Sequence, residues 1–577
     1  MTEAIQKSLR ESPLARWTAM FVVSMSMFGA YYFNYAGSSI KPVLETALGW
    51  TSNDIGAYTG SYGWFNVFFL MLIFSGLILD KLGIRVTGLG ATAMMAIGTA
   101  LNYWAMTSMP AHMLSSHVTL PLVGELPMQV FLSCLGFAIF GIGSEATGIT
   151  LSKAIVKWFK GKELALAMGL QMSIARLGTA LALGISLPLA IKYTYSTPIL
   201  LAFVLMLVGL VAFITYIIMD IKLDKSEENI EVEEEEPFRI KDIVSIVSNK
   251  AFWYIAILCV LFYGAVFPFL YFAPDFVINK YHVAPKLAGY IPMLLPAGTI
   301  ILTPLFGTIY DRKGKGATIM IIGAVMLLLV HSFLAVPFLN HWIFAAVMVI
   351  ILGIAFSLVP SAMWPSVPKF IPEKKLGTAY AVIFYIQNIG LVVIPTLLGI
   401  VLTASNPTVS PNKMLIKSSI EQSFQKTLAS NQINYNPKDL KIAIDKATGR
   451  VVDSIVQNTF YVPTPDKEVN KTALENKIIS NNLNAADQFS LKDGSRASLL
   501  ELATVFTRST YPIINNEKLN ITYDYENDIL IFVVLGILSV IFGFLLKLED
   551  KKKGYGLELP NMEKKAEAVV EAEIEGE

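Results

Sequence analysis

The chain predicts an all-α membrane protein: twelve transmembrane helices in two six-helix bundles, with a small mixed α/β insert between helices 11 and 12. Three observations predict it. Of its 577 residues 54% are hydrophobic and only 15% charged, and the mean hydropathy is +0.56, whereas soluble domains carry roughly 25% charged residues. Apolar runs long enough to cross a bilayer, about 20 residues each, recur twelve times. One glycine-flanked charged turn occurs twice, at matching places in the two halves.

The spans are expected at 17–37, 55–79, 86–106, 128–152, 164–190, 196–221, 251–273, 287–309, 316–337, 341–364, 376–403 and 529–547. They divide the chain into an N-terminal bundle (1–221), a cytoplasmic linker (222–249), helices seven to eleven (250–403), an outer insert (404–528), a last helix (529–548) and a disordered acidic tail (549–577). The linker carries Glu231 to Glu236, an acid-rich run that reads as a solvated segment. Lys and Arg gather in one set of loops: Lys81, Arg85, Lys153, Lys157, Lys160, Lys162, Arg239, Lys241, Arg312, Lys313, Lys315, Lys374 and Lys375. The opposite short loops hold only Lys41, Lys192, Lys280 and Lys286, so both termini are expected in the cytoplasm. The insert then lies outside. Ile416, Ile420, Phe424 and Leu428 repeat as on a helix face, and Lys441 to Val452, around Gly449, resembles two short strands about a turn.

A net charge of +1 argues against a nucleic-acid partner, and Cys134 and Cys259, both in apolar runs, suggest neither a disulfide framework nor a metal site. No cofactor and no catalytic constellation is expected. The chain is expected to work as a monomer in the lipid bilayer.

The repeated turn is Gly76, Asp80, Lys81, Gly83 and Arg85 in the first half, and Gly307, Asp311, Arg312 and Gly314 in the second. An acid beside a base at a membrane surface suits a tight loop whose charges latch onto a neighbouring helix end. Gly76, Asp80, Gly83, Arg85, Asp311 and Arg312 are therefore gating candidates. The turn resembles the loop after the second helix of the major facilitator superfamily.

Ionisable groups deep in a span are costly and suggest function. Glu145 lies in the fourth span and Arg176 in the fifth. Their heights above the cytoplasmic charges differ by roughly 8 Å at the helical rise. So spaced, they suit the ammonium and carboxylate of a small zwitterion; a structural ion pair tying two helices is an equal reading from spacing alone. Polar and aromatic candidates beside them are Tyr62, Trp64, Asn66, Tyr263, Phe267, Trp364, Gln387 and Asn388. A buried amide needs a partner, which favours Asn66 and Asn388 as binding residues. His331 is expected at the interface near the outer end of its span.

Further motifs run Lys157 to Leu164, Gly169 to Gly178, Phe262 to Phe269, Trp364-Pro365, Pro372 to Tyr380 and Ile386 to Gly390. Together they resemble the family of major facilitator superfamily domain-containing protein 1. The resemblance implies transport of short peptides, dipeptides above all, as a uniporter in the lysosomal animal members. It also implies that Glu145 and Arg176 bind the amino and carboxyl ends. The chain departs from the family in three ways. Asn34-Tyr35 are neutral where animal members carry an acid, the N-terminus has no acidic dileucine signal, and the insert is foreign to the pattern. These departures favour a bacterial inner membrane over a lysosomal one. Animal members work with a separate luminal glycoprotein, so the insert is expected either to bind a partner or to replace one. A proton-coupled transporter of another organic anion or amino acid, with Glu145 carrying the proton, is the first alternative. A membrane receptor that senses through the insert is the second.

Overall fold

Backbone polar groups in lipid must pair within their own segment, which makes each long apolar run a helix. A computed structural model describes residues 9–121, 123–159, 162–226, 240–372, 375–461, 470–489, 491 and 493–560. The acid-rich run 231–236, Lys160, Arg239, Lys374 and the tail from 561 onward lie outside the described residues.

The first half contains α1 (Pro13–Ser39), α2 (Lys41–Leu48), α3 (Ser52–Gly60), α4 (Trp64–Phe68), α5 (Met71–Thr107), α6 (Ala111–Leu114), α7 (Met128–Phe159), α8 (Leu164–Lys192) and α9 (Ser196–Ser226). A two-stranded antiparallel hairpin, β1 (His117–Leu120) with β2 (Gly124–Pro127), precedes α7 and pairs His117 with Pro127. The second half contains α10 (Ile240–Val247), α11 (Lys250–Tyr281), α12 (Pro285–Ala288), α13 (Tyr290–Lys313), α14 (Gly316–Ala335), α15 (Trp342–Ser366) and α16 (Leu376–Ser405). The insert follows as α17 (Val409–Ser430), α18 (Pro437–Val456), α19 (Lys471–Asp487) and α20 (Arg496–Glu517), and α21 (Glu526–Lys553) closes the fold.

Among the described residues nine helices are long and apolar enough to cross a membrane, and a bent pair, Ser52–Phe68 with Met71–Thr107, meets at 57°. Gly83 breaks α5 with φ 74° and ψ 176°, a backbone that glycine alone adopts cheaply. The stretch therefore holds two passes. With α1, made less apolar by Ser24, Ser26, Asn34 and its tyrosines, the passes number twelve. The second span is not the continuous helix expected over 55–79. A 3-10 turn at Ser61–Gly63 and a left-handed Leu70 interrupt it.

Two glycines let the halves meet. A Cβ on Gly56 of α3 would stand 2.7 Å from the Gly399 Cα of α16, so only glycine permits this approach. Further joins between the halves lie toward the same face, where the insert sits, and one lies deeper, where the Tyr385 hydroxyl donates to the Val67 carbonyl at 3.3 Å. The backbone N–H of Asn53 donates to Thr403 Oγ1 at 2.9 Å, and the Tyr271 hydroxyl donates to Asn34 Oδ1 at 3.2 Å.

The insert is a four-helix domain rather than the expected mixed α/β unit. Residues 441–452, read as strands about Gly449, belong to α18. Asn436 caps that helix and Pro437 occupies its first turn. Leu440, Ala443, Ile444, Ala447, Val451 and Ile455 form a buried stripe at helical spacing, and that burial outweighs the β-branched residues and the glycine. The stripe expected on 416–428 is present: Ile416, Ile420, Phe424 and Leu428 are buried, and Phe424 meets Phe506 edge-on at 4.8 Å. The ends of the insert are pinned together. Asn406 Nδ2 donates to the Asp524 carbonyl at 2.9 Å, and the Asp524 N–H donates back to Asn406 Oδ1 at 2.8 Å.

The expectation of a disordered tail from 549 also fails for its first part. α21 runs to Lys553, and the chain then docks on the turn before α14. The Lys315 N–H donates to the Glu558 carbonyl at 2.9 Å, and Thr318 N–H donates to Glu558 Oε1 at 2.9 Å.

Candidate functional site

The break between α3 and α4 turns Tyr62 toward α7, and its hydroxyl donates to Glu145 Oε1 at 2.9 Å. Asn388 of α16 also presents its amide to Glu145. Asn66 Nδ2 donates to the Gly141 carbonyl, one turn from Glu145, at 3.4 Å, and its buried Oδ1 has no protein partner. Asn388 likewise has a buried, unsatisfied Oδ1. Unsatisfied amide oxygens beside a carboxylate are acceptors available to a ligand ammonium or water.

Among the described residues Arg176 of α8 meets no carboxylate. Its guanidinium lies 4.9 Å from the Phe356 ring centre, 5.7 Å from Phe267 and 5.8 Å from Tyr31. Stacking on rings leaves the N–H fork of an arginine free to take a carboxylate by two parallel bonds. The second half supplies the wall behind it. Tyr263 packs on Phe356 at 5.5 Å and accepts a hydrogen bond from Trp364 Nε1 at 3.1 Å, and Trp364 stacks on Phe384 at 4.9 Å. Tyr31 of α1 lies within electrostatic reach of both Arg176 and Glu145. Glu145 and Arg176 are each partly accessible, and no ion pair joins them among the described residues.

Tyr62 and Asn388 thus meet Glu145, with Asn66 one turn away, while Arg176 and Tyr263 meet through Phe356; Phe384, which takes the Asn388 amide and stacks on Trp364, adjoins both groups. Phe356, Phe384 and Tyr31 were not singled out from the sequence. The run Tyr31-Tyr32-Phe33-Asn34-Tyr35 in a lipid-length helix was the available signal. Gln387 accepts from the Cys259 thiol at 3.5 Å and is a packing contact. His331 is not interfacial: it is fully buried, bonds the Leu327 carbonyl at 3.0 Å and packs on Phe269 and Phe532.

The gating candidates sit apart from this cluster. Lys153 Nζ donates to Asp80 Oδ1 at 2.6 Å. Arg85 Nε donates to Asp220 Oδ2 at 2.6 Å and Arg85 also pairs with Asp224; Lys157 joins the same two acids at 2.8 and 2.7 Å. Asp311 and Arg312 end α13 beside the docked tail, and Gly76 has open space where a side chain would stand.

A second charged cluster, unforeseen from the sequence, seals the insert face. Lys41 Nζ lies 2.6 Å from Asp275 Oδ2 and 2.7 Å from Glu45 Oε1. Lys413 of the insert lies 2.8 Å from Glu45 Oε2. The Tyr523 hydroxyl donates to Glu45 Oε1 at 2.9 Å, and the Tyr525 hydroxyl donates to Asp275. All four charged side chains are at most 4% exposed. Two cations and two carboxylates balance, which is how buried charge is tolerated. Burial pushes the Glu45 carboxyl up, but Lys41 and Lys413 outweigh it and hold it down at about 2. Lys41 appeared in the sequence as an ordinary loop base; only the fold puts it opposite Asp275.

Twelve passes in two pseudo-repeated halves, with a half-accessible acid and a base between them, define a membrane transporter. The sequence profile of the Major Facilitator Superfamily matches residues 18–395, and the chain belongs to that family. It is similar to the Lysosomal dipeptide transporter MFSD1 of Danio rerio, 30% identical over 394 residues, which span 65% of this chain and 78% of that protein. The Bos taurus protein of the same name is 26% identical over 415 residues, 69% of this chain and 82% of its own. Among solved structures, a bacterial homologue of the human lysosomal transporter Spinster, inward-facing and unoccupied, superposes with TM-score 0.54 at 13% identity, over 94% of this chain and 98% of that one. A D-xylose–proton symporter gives TM-score 0.52 at 14% identity, over 67% and 92%. The protein is therefore a multi-pass membrane transporter of a small-molecule substrate, and not an enzyme.

Proposed function

We propose that this transporter carries dipeptides or other short peptides by alternating access, as a monomer, with the insert facing away from the cytoplasm and both termini in it. The observation that carries the reading is that Glu145 and Arg176 form no ion pair among the described residues, Glu145 meeting Tyr62 and Arg176 meeting aromatic rings. An acid and a base placed within one membrane core, each partly accessible and neither neutralising the other, need a zwitterion to complete them. Glu145, with Tyr62, Asn66 and Asn388, takes the peptide ammonium. Arg176, held by Phe267, Phe356 and Tyr31, takes the carboxylate. Tyr263 and Trp364 form the wall that meets the side chains. The loop asymmetry of Lys and Arg supports the orientation.

Alternation then exchanges two closures. Lys41–Asp275 and Glu45–Lys413 shut the outer side. The duplicated turns, with Asp80, Arg85, Asp311 and Arg312, guide closure of the cytoplasmic side when the outer bonds part. Counterflow in proteoliposomes tests the substrate. Free dipeptides should exchange, while dipeptide amides and N-acetyl dipeptides should compete at least ten-fold less well. Equal competition by both blocked forms refutes the two-ended reading.

A further inference from the structure

A cavity of about 790 Å³ separates α18 of the insert from the rim of the first half. That lies within the size of small-molecule sites, about 300–1,000 Å³. Its chemistry is one-sided. Lys192 comes from the first half, Lys286 from the second, and Lys438, Lys441, Lys446 and Arg450 from α18. Their hydrogen bonds go to neutral oxygens. Lys446 Nζ donates to the Lys192 carbonyl at 3.1 Å, Lys441 Nζ to the Tyr195 hydroxyl at 3.4 Å, and Arg450 Nη1 to Thr504 Oγ1 at 2.8 Å. None of the six forms an ion pair with a described carboxylate. Of the two acids on the wall, Asp445 is engaged by Lys417 at 3.5 Å, which leaves Asp453 alone against six cations.

The contrast with the neighbouring seal is the point. There the buried charges balance pair by pair; here the same insert and the same rim present an excess of one sign across a half-open cleft whose lysines and arginine are mostly solvent-exposed. Burial, then Arg450 and Arg496, press on the Lys446 ammonium and lower its proton affinity. Such repulsion weakens the closed arrangement, and an anion between the cations relieves it.

We propose that this cavity binds a small polyanion, carrying several carboxylates or phosphates, that ties the insert to both halves and favours the outer-closed state. An anion touching Lys192, Lys286 and α18 at once finds all three in place only when the insert face is shut. It shifts the population by the ratio of its affinities for the two states. The effect on gating rests on the alternating-access reading above; binding itself does not. A soluble anion and an anionic lipid headgroup share this chemistry.

Isothermal titration of the full chain in neutral detergent with citrate, at pH 8 and low salt, tests binding. One equivalent should bind. Lys441→Gln/Lys446→Gln should weaken it at least ten-fold without lowering the unfolding midpoint of the anion-free protein. Asp453→Asn should tighten it several-fold, a gain that damaged folding cannot imitate. In a second arm, nanodiscs of phosphatidylglycerol are compared with phosphatidylcholine. Stabilisation by phosphatidylglycerol alone, lost in the double variant, assigns the site to a headgroup. If neither citrate nor phosphatidylglycerol distinguishes the native chain from the double variant, the proposal is overturned. Citrate should also slow labelling of Asn34→Cys from the insert face by an impermeant thiol reagent. Binding with no change in that rate overturns the tie to gating, and failed peptide uptake leaves every one of these readouts intact.

Discussion

Lys413 Nζ lies 2.8 Å from Glu45 Oε2, so a residue of the insert completes a buried charge network that joins the two halves. The insert is thereby bonded to the rim that must move if the insert face opens. Lys417 strengthens the join by donating to the Ala47 carbonyl at the end of α2 at 2.6 Å.

Removing one member of this network leaves a buried charge uncompensated, which costs about 3–5 kcal/mol. Glu45→Gln strands two lysines beside Asp275 alone and should open the insert face more than Lys413→Met, which leaves Glu45 with Lys41 and Tyr523. Labelling of Asn34→Cys by an impermeant thiol reagent should rise in that order. Equal, unchanged labelling in both variants would show that the network does not close the path.

The pH dependence has two opposed signs. Glu45 is held at about 2, so its contribution is whole above the ordinary glutamate range and is lost progressively as pH falls from that range through about 2. Burial pushes Asp453 up to about 7 against the pull of Lys413 and Lys286. Its contribution is whole below the usual aspartate value and is lost as pH rises through about 7. The unfolding midpoint should therefore fall from pH 5.5 to pH 8, and Asp453→Asn should flatten the slope. A midpoint that falls equally in the variant would assign the slope elsewhere.

Arg176→Lys exchanges a planar fork for a point charge and should lose at least ten-fold in dipeptide uptake while the protein still reaches the membrane. Glu145→Gln removes a charge-assisted bond of about 1.5–3 kcal/mol, and should weaken binding of unblocked dipeptides about ten-fold or more. If Glu145→Gln binds normally yet loses all response to a pH gradient, Glu145 carries a proton instead.

Asp80 and Lys153 are partly exposed, and such pairs contribute about 0–1 kcal/mol. Asp80→Asn should slow transport by shifting the balance of states, with substrate affinity in binding assays changed less than three-fold. Lost affinity with unaltered cytoplasmic thiol accessibility would give Asp80 another role.

Because Asn406 and Asp524 bond each other, a short Gly/Ser linker can bridge the ends of the insert. Replacing 404–528 should leave a monodisperse helical core that still binds dipeptides, with the insert face more accessible. Loss of binding in a monodisperse sample would place part of the substrate site on the insert.

Sequence alone determined the bilayer as solvent, the twelve passes, the two halves and the acid and base inside them. Each follows from local properties: apolar run length, the repeated turn around Asp80 and Asp311, and the cost of burying Glu145 and Arg176. The helical stripe of 416–428 was legible for the same reason. Tertiary structure decided what depends on neighbours distant in the chain. Lys41 looks solvated until Asp275, far along the sequence, neutralises it. The segment 441–452 looks extended until the insert core buries one helical face. Tyr62 reaches Glu145 only because the second span breaks at Ser61–Gly63, and Arg176 has aromatic partners rather than Glu145 because α11 and α15 bring Phe267 and Phe356 beneath it. Apolar periodicity is written residue by residue, but charge compensation is a property of pairs, and only the fold assembles the pairs.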